Sequence, residues 1–82
     1  MDNDKTVRDV YLDTVMTQIE SGDPPEAKAT FARLTAAGQS RSQALHHMAA
    51  ALREEMSRML AESKPFDNAR YAALLAKIPA AG

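Results

Sequence analysis

Apolar residues recur at intervals of three and four along four stretches of the chain, which is the period of an α-helix. The first stretch covers residues 5–21. Its stripe consists of Val7, Val10, Tyr11, Val15 and Ile19, widened by Leu12 and Met16. β-Branched residues are frequent here, but the apolar positions do not alternate as in a strand, which favours a helix. Gly22 is the expected C-cap, because glycine adopts the left-handed conformation without steric cost.

The second predicted helix covers residues 24–37 and begins at the run Asp23-Pro24-Pro25-Glu26. We expect Asp23 to cap the free backbone amides, with Pro24 at the first helical position, where a proline loses no hydrogen bond. Glu26 lies three residues after this cap, at the capping-box position. The apolar face consists of Ala27, Phe31 and Leu34, and Gly38 ends the helix.

The third predicted helix is the longest and covers residues 41–63. Ser40 and Gln43 have capping-box spacing at its start. Lys64-Pro65 closes it, because the residue before a proline avoids helical geometry. Its apolar stripe consists of Leu45, Met48, Ala49, Leu52, Met56, Met59 and Leu60.

The last predicted helix covers residues 68–78, with Asp67 as its N-cap and Pro79 directly after it. Phe66 and Tyr71 flank this cap at the spacing of a hydrophobic staple. Its apolar face consists of Tyr71, Leu74, Leu75 and Ile78.

These signals predict an all-α fold, a compact four-helix domain with the third helix as its central element. The connections are short, so successive helices pack antiparallel or at a corner. The whole chain, residues 1–82, forms a single domain in this interpretation. Its short ends, residues 1–4 and 79–82, are expected to be flexible.

The supply of large side chains is small for 82 residues. Apart from Met1 there are 20 large apolar residues, and another 16 residues are alanine. Met48, Met56 and Met59 could form a flexible binding surface, but filling the core is the simpler interpretation. Alanine allows another helix to approach closely, within the chain or between chains. The sequence therefore favours self-association or another protein partner.

Charge and composition argue against several other classes of partner. The chain has ten Lys and Arg residues and eleven Asp and Glu residues, for a net charge of −1. This near balance does not favour nucleic acid as a partner. No apolar run is long enough to span a membrane, and the polar N-terminus does not resemble a signal peptide. The absence of cysteine excludes disulfides and thiolate sites. We expect a cytoplasmic protein.

The polar residues form no recognisable catalytic or metal-binding motif. His46 and His47 are adjacent on a helix and point about 100° apart, so they do not form an i, i+4 metal-binding pair. Glu54 and Glu55, beside two arginines, are interpreted as a solvated helix surface. We predict no enzyme activity, no catalytic residue, no cofactor and no metal ligand. For His46 we expect a structural hydrogen bond, to a backbone carbonyl or to a carboxylate of the first helix.

One alternative is DNA binding. The stretch from Leu34 to Leu45 contains a Gly-x-Ser-Arg-Ser run, which resembles the turn of ribbon-helix-helix repressors. Arg41 and its neighbours would then contact DNA, in a ribbon-helix-helix or helix-turn-helix arrangement. However, the segment before this turn is acidic and helical in pattern, and a serine at this position is also a common N-cap.

Several of these motifs occur together in a familiar order. They are Asp23-Pro24-Pro25-Glu26, Arg33-Leu34, Gly38, Ser40-Arg41, Ala44-Leu45-His46, Pro65-Phe66-Asp67 and Arg70-Tyr71. In this order and spacing the chain, from about Val7 to Pro79, resembles the C-terminal part of an uncharacterised bacterial family. That family is called domain of unknown function 1841, and its typical members are longer at the N-terminus.

The resemblance implies a helical scaffold and no established activity. Similar proteins often carry a His-Glu-x-x-His-like run at the start of the long helix, with further histidines on the first helix, which implies a metal site. This chain keeps only His46 of that run, with Ser42 and Gln43 in place of His-Glu. Where the first helix would supply ligands it has Arg8, Leu12 and Met16. The resemblance therefore implies, at most, a degenerate metal-binding domain.

The function that the sequence favours is a non-catalytic, cytoplasmic helical interaction or scaffold module that forms a homodimer. A DNA-binding regulator and a degenerate metal-binding domain are the alternatives.

Overall fold

A computed structural model describes residues 3–80 of the chain, and the side chains of residues 10–80. Four helices follow one another: α1 (Asn3–Ser21), α2 (Pro25–Ala36), α3 (Arg41–Glu62) and α4 (Asn68–Ala76). No strand occurs among these residues. The predicted all-α four-helix fold is confirmed, and each predicted boundary lies within two residues of the observed one. Residues 1, 2, 81 and 82 of the predicted flexible ends lie outside the described part.

The predicted capping motifs of α3 and α4 are both present. At the start of α3, the Gln43 backbone N–H donates to Ser40 Oγ at 3.1 Å, and the Ser40 N–H donates to Gln43 Oε1 at 2.9 Å. At the start of α4, Asp67 Oδ1 accepts from the backbone N–H of Arg70 at 3.0 Å. Each bond satisfies a backbone amide that has no partner inside its helix.

The predicted cap of α2 is wrong by one residue. Pro25 is the first helical residue, so Pro24 is the N-cap, and it has no side-chain acceptor to offer. The peptide bond between Asp23 and Pro24 is cis. Asp23 lies outside the helix, and its backbone N–H donates to Ser21 Oγ at 3.3 Å. The rule that favours proline at the first helical position applied to Pro25 rather than to Pro24.

Helices α2 and α3 each pack against the other three helices. Helix α3 is the central element, as predicted, because it is the longest and supplies six of the eleven buried core residues. The buried core draws on all four helices. Its members are Val15, Ala27, Leu34, Ala44, Leu45, Met48, Ala49, Ala51, Leu52, Tyr71 and Leu75.

The predicted stripe of α3 enters the core only in part. Met48 is fully buried and Met56 packs against the core, so these two methionines fill the interior. Leu60 is 73% exposed, because it lies at the end of the helix on the edge of the buried face. On α1, Val10 is likewise 57% exposed although the periodicity placed it on the apolar stripe, whereas Val15 is buried. The side chain of Val7 lies outside the described residues.

The predicted hydrophobic staple at the start of α4 is confirmed. The rings of Phe66 and Tyr71 meet edge to face, with their centroids 5.6 Å apart. The Tyr71 hydroxyl reaches across the core and donates to Oε1 of Gln18 on α1 at 2.7 Å. This bond joins two helices that do not pack directly on each other within the described residues.

Candidate functional site

A solvent-open groove of about 310 Å³ runs between α3 and α4. From α3 it is lined by His47, Ala50, Ala51 and Glu54, which occupy positions i, i+3, i+4 and i+7 and therefore share one helix face. From α4 and the residues directly after it, it is lined by Leu74, Lys77 and Ile78. Leu74 and Ile78 also pack against the core. The groove exists because two alanines leave unfilled space where longer side chains would close it.

His47 lines the groove, and its ring is hydrogen-bonded to the side chain of Gln39. The ring Nδ1 of His47 lies 3.1 Å from Gln39 Oε1. The amide nitrogen of Gln39 donates to the carbonyl oxygens of Pro79 and Ala80, both at 3.0 Å. Since these carbonyls accept and do not donate, the orientation of the Gln39 amide is set, and its Oε1 faces the histidine. His47 therefore donates through Nδ1.

The end of α4, which forms one wall of the groove, is held by side chains from α2 and from the turn after it. Arg33 donates through Nη1 to the carbonyl of Ile78 at 3.0 Å, and through Nη2 to that of Leu75 at 3.1 Å. The last carbonyls of a helix lack partners inside the helix, so a cation there is favourable. No local sequence pattern indicates this role of Arg33 or that of Gln39, because both act on residues about forty positions away.

An ion-pair network around the buried Glu55 joins α3 to α4. Glu55 has no accessible surface, although the sequence analysis placed it on a solvated face, and this prediction is wrong. Its carboxylate accepts from the Arg70 side chain and, at 2.9 Å, from the backbone N–H of Asp67. The other side of Arg70 pairs with Glu62 at 2.9 Å. Buried charges are tolerated when they are paired and hydrogen-bonded in this way.

The electrostatics of this network follow from these contacts. The hydrogen bond from Arg70 holds the pKa of Glu55 below its usual range, and it outweighs the opposite effect of burial. The hydrogen bond to Glu55 in turn raises the pKa of Arg70. Both groups are therefore charged near neutral pH, which favours attachment of α4 to α3. Glu55 bonds only to groups of this fold, so the network stabilises the packing of the start of α4 on α3.

A second cleft, of about 380 Å³, lies at the turn between α3 and α4. Its lining includes Glu62, Lys64, Phe66 and Arg70. Arg70 is already engaged by two carboxylates, and Phe66 is engaged by Tyr71. The side chains of this cleft therefore mainly stabilise the turn.

The residues that the sequence analysis singled out do not converge on one site. His46 is exposed, and its Nδ1 lies 2.8 Å from the carbonyl oxygen of Ser42, so it bonds within its own helix and not to α1. Arg41 is also exposed, with its guanidinium 5.7 Å from the centre of the Phe31 ring. Glu54 pairs with Arg58 at 3.5 Å on the surface, as expected for a solvated face. Of these polar residues, His47 and Glu54 both line the groove between α3 and α4.

Within the described residues, no group of three or more His, Cys, Asp and Glu side chains is placed to hold a metal ion. None of the helices in this part of the chain combines the length and the apolar composition of a membrane span.

Comparison of the chain with protein-family models, with curated proteins and with solved structures finds no match. The resemblance to the family of unknown function therefore stays an expectation from the motifs. The class that the structure defines is an all-α four-helix domain with an open groove between its last two helices.

Proposed function

We propose that this protein is a non-catalytic, cytoplasmic helical interaction module that acts by forming a homodimer. The observation that carries the proposal is the groove between α3 and α4, with Ala50, Ala51, Leu74 and Ile78 facing an open space of about 310 Å³. Apolar surface of this kind is stabilised when a partner excludes water from it. Alanine side chains on α3 allow the backbone of a partner helix to approach closely.

Two further properties support a second copy as the partner. The net charge of −1 means that two copies experience little long-range repulsion. The core is small, and a domain of this size gains stability when a second subunit covers part of its apolar surface. Self-association meets both conditions without any additional component.

Sedimentation equilibrium at micromolar concentrations tests the proposal. We expect the weight-average mass to rise with concentration from 8.9 kDa towards twice that value. A mass of 8.9 kDa at every concentration would contradict it. The DNA-binding alternative is tested in parallel by mobility shift of random duplex DNA at low salt, because a DNA-binding protein retains salt-sensitive, nonspecific affinity. A shift that is lost on Arg41→Ala would favour that alternative.

A further inference from the structure

The charged residues of this nearly neutral chain are segregated along its length. No Lys or Arg occurs between Arg8 and Lys28, and no Asp or Glu occurs between Glu26 and Glu54 or after Asp67. The interval without cations contains the end of α1 and the start of α2, and the first interval without carboxylates contains the end of α2 and the start of α3. The net charge of −1 therefore conceals an acidic region and a basic region.

The fold gathers three cations at one end of the bundle, here called the basic end. Arg33 donates to the carbonyl of Ile78, which brings the end of α2 beside Lys77 at the end of α4. The guanidinium of Arg41, at the start of α3, lies 5.7 Å from the centre of the Phe31 ring on α2. All three cations are exposed, and no carboxylate of the described residues lies within ion-pair distance of them. A carbonyl and an aromatic ring have no net charge, so the positive charge of this end is not neutralised.

The opposite end of the bundle has three exposed carboxylates and is here called the acidic end. Glu20 lies in the last turn of α1, Asp23 in the turn that follows and Glu26 in the first turn of α2. Lys28 follows Glu26 by two residues and therefore points to another side of α2. Helix α2 has 12 residues and a length of about 18 Å, which separates the two ends. The described part of the chain is thus a charge dipole.

We propose that two copies pack side by side in antiparallel orientation, with the basic end of each copy against the acidic end of the other. The inference rests on the self-association proposed above and defines the orientation of the partner. A two-fold axis along the bundle would place like ends together, where their charges repel. An axis perpendicular to the bundle brings unlike ends together twice, because symmetry repeats the contact. Surface Arg, Lys, Asp and Glu side chains are charged at neutral pH, so the attraction requires no change of protonation.

Charge reversal at matched positions tests the attraction. Arg41→Glu reverses a charge of the basic end, and Arg53→Glu makes the same change in net charge at an exposed position near the middle of α3. Because the contact between ends occurs twice, Arg41→Glu should raise the dissociation constant of the dimer about tenfold at low salt, and Arg53→Glu should raise it much less. The difference should shrink at high salt, which screens exposed charges. Circular dichroism melts check that each variant is folded.

A complementary pair of variants supplies the rescue. The first variant, Arg41→Glu with Lys77→Glu, makes the basic end acidic, and the second, Glu20→Lys with Glu26→Lys, makes the acidic end basic. Each variant then has two ends of like charge and should be monomeric at concentrations at which the unmodified protein is a dimer. An equimolar mixture of the two should dimerise, because unlike ends can again be paired.

The orientation itself is measured by energy transfer between dyes on single introduced cysteines, since the chain has no cysteine of its own. Ala36→Cys labels the basic end and Ala61→Cys, near the last residue of α3, labels the other end; both alanines are exposed. Transfer from Ala36→Cys in one subunit to Ala61→Cys in the other should exceed transfer between two subunits that both have Ala36→Cys.

Three results would overturn the antiparallel assignment while leaving self-association standing. They are stronger transfer between two Ala36→Cys subunits, equal tolerance of Arg41→Glu and Arg53→Glu, and a mixture of the complementary variants that stays monomeric. An unmodified protein that is monomeric at every concentration would overturn both proposals.

Discussion

The bond from Tyr71 to Gln18 offers a stability prediction that can be worked out from the structure. Tyr71 is 1% exposed, and its hydroxyl donates to Gln18 at 2.7 Å. Tyr71→Phe keeps the ring in the core and its edge contact with Phe66 but removes the donor. A neutral hydrogen bond contributes roughly 0.5–1.5 kcal/mol net, and Gln18 is only half-buried, so water can replace the lost partner in part. We expect a loss of about 1 kcal/mol in the free energy of unfolding.

This loss is measurable in a domain of this size. A folded chain of 82 residues has a free energy of unfolding of roughly 4–12 kcal/mol, and a loss of about 1 kcal/mol lowers the melting temperature by about 4–8 °C. Urea denaturation followed by circular dichroism gives the difference directly, with the m-value unchanged. Tyr71→Ala, which also removes the ring, should cost about 3–5 kcal/mol and serves as the upper reference.

The control and the thermodynamic cycle decide whether the bond itself is responsible. Tyr11→Phe removes a hydroxyl from a half-buried tyrosine of α1 and should leave the free energy of unfolding nearly unchanged. Gln18→Ala, alone and combined with Tyr71→Phe, measures the coupling between the two side chains. If Tyr71→Phe costs no more than Tyr11→Phe, or if the coupling is zero, the hydrogen bond between Tyr71 and Gln18 does not stabilise the fold.

Three further predictions follow from the same contacts. Burial raises the pKa of Tyr71 to about 12, above its ordinary value of 10. The contribution of the neutral phenol to the free energy of unfolding is therefore complete below pH 10 and is lost as the pH rises through 12. Tyr71→Phe should make the free energy of unfolding, measured in urea, less dependent on pH in this range. The lowered pKa of Glu55 means that its pairing contributes above pH 4.5 and is lost as the pH falls below that value. Glu55→Gln should therefore destabilise the protein at pH 7 more than Glu54→Gln does, and the difference should shrink in acid. Arg33→Met should speed amide hydrogen exchange at the end of α4 without unfolding the core, because it removes the bonds to the carbonyls of Leu75 and Ile78. The control is Arg53→Met, at an exposed position of α3, and an equal effect of this variant would contradict the capping role of Arg33.

Glu55 shows most clearly where prediction from the chain alone fails. Its position follows Met48 and Leu52 at helical spacing, so periodicity alone would have placed it on the buried face. The charge of the carboxylate favoured a solvent-exposed position instead, because an unpaired buried carboxylate is strongly unfavourable. The deciding partner is Arg70, fifteen residues away on the next helix. Only the packing of α4 on α3 brings the guanidinium close enough to neutralise that charge.

The sequence indicates which α3 residues share the face that lines the groove, but it does not indicate that this face is left open. The alanines and the paired charges of α3 are visible in the sequence, and His47 and Glu54 share a face by helical geometry alone. Whether that face is covered depends on where α4 ends and how Arg33 and Gln39 hold its last carbonyls. These are contacts between residues about forty positions apart, and no local pattern records them.

What the sequence by itself determined are the local features: four helices, their boundaries to within two residues, the capping box at Ser40, the cap at Asp67 and the staple between Phe66 and Tyr71. Each depends on groups within five positions of one another, so short-range sterics and hydrogen bonding are sufficient to define it. The tertiary structure alone decided that Leu60 is exposed, that Glu55 is buried, and that α3 and α4 leave a groove open. Those outcomes depend on which helix lies over which face, and a helical period gives the direction of a side chain but not its neighbour.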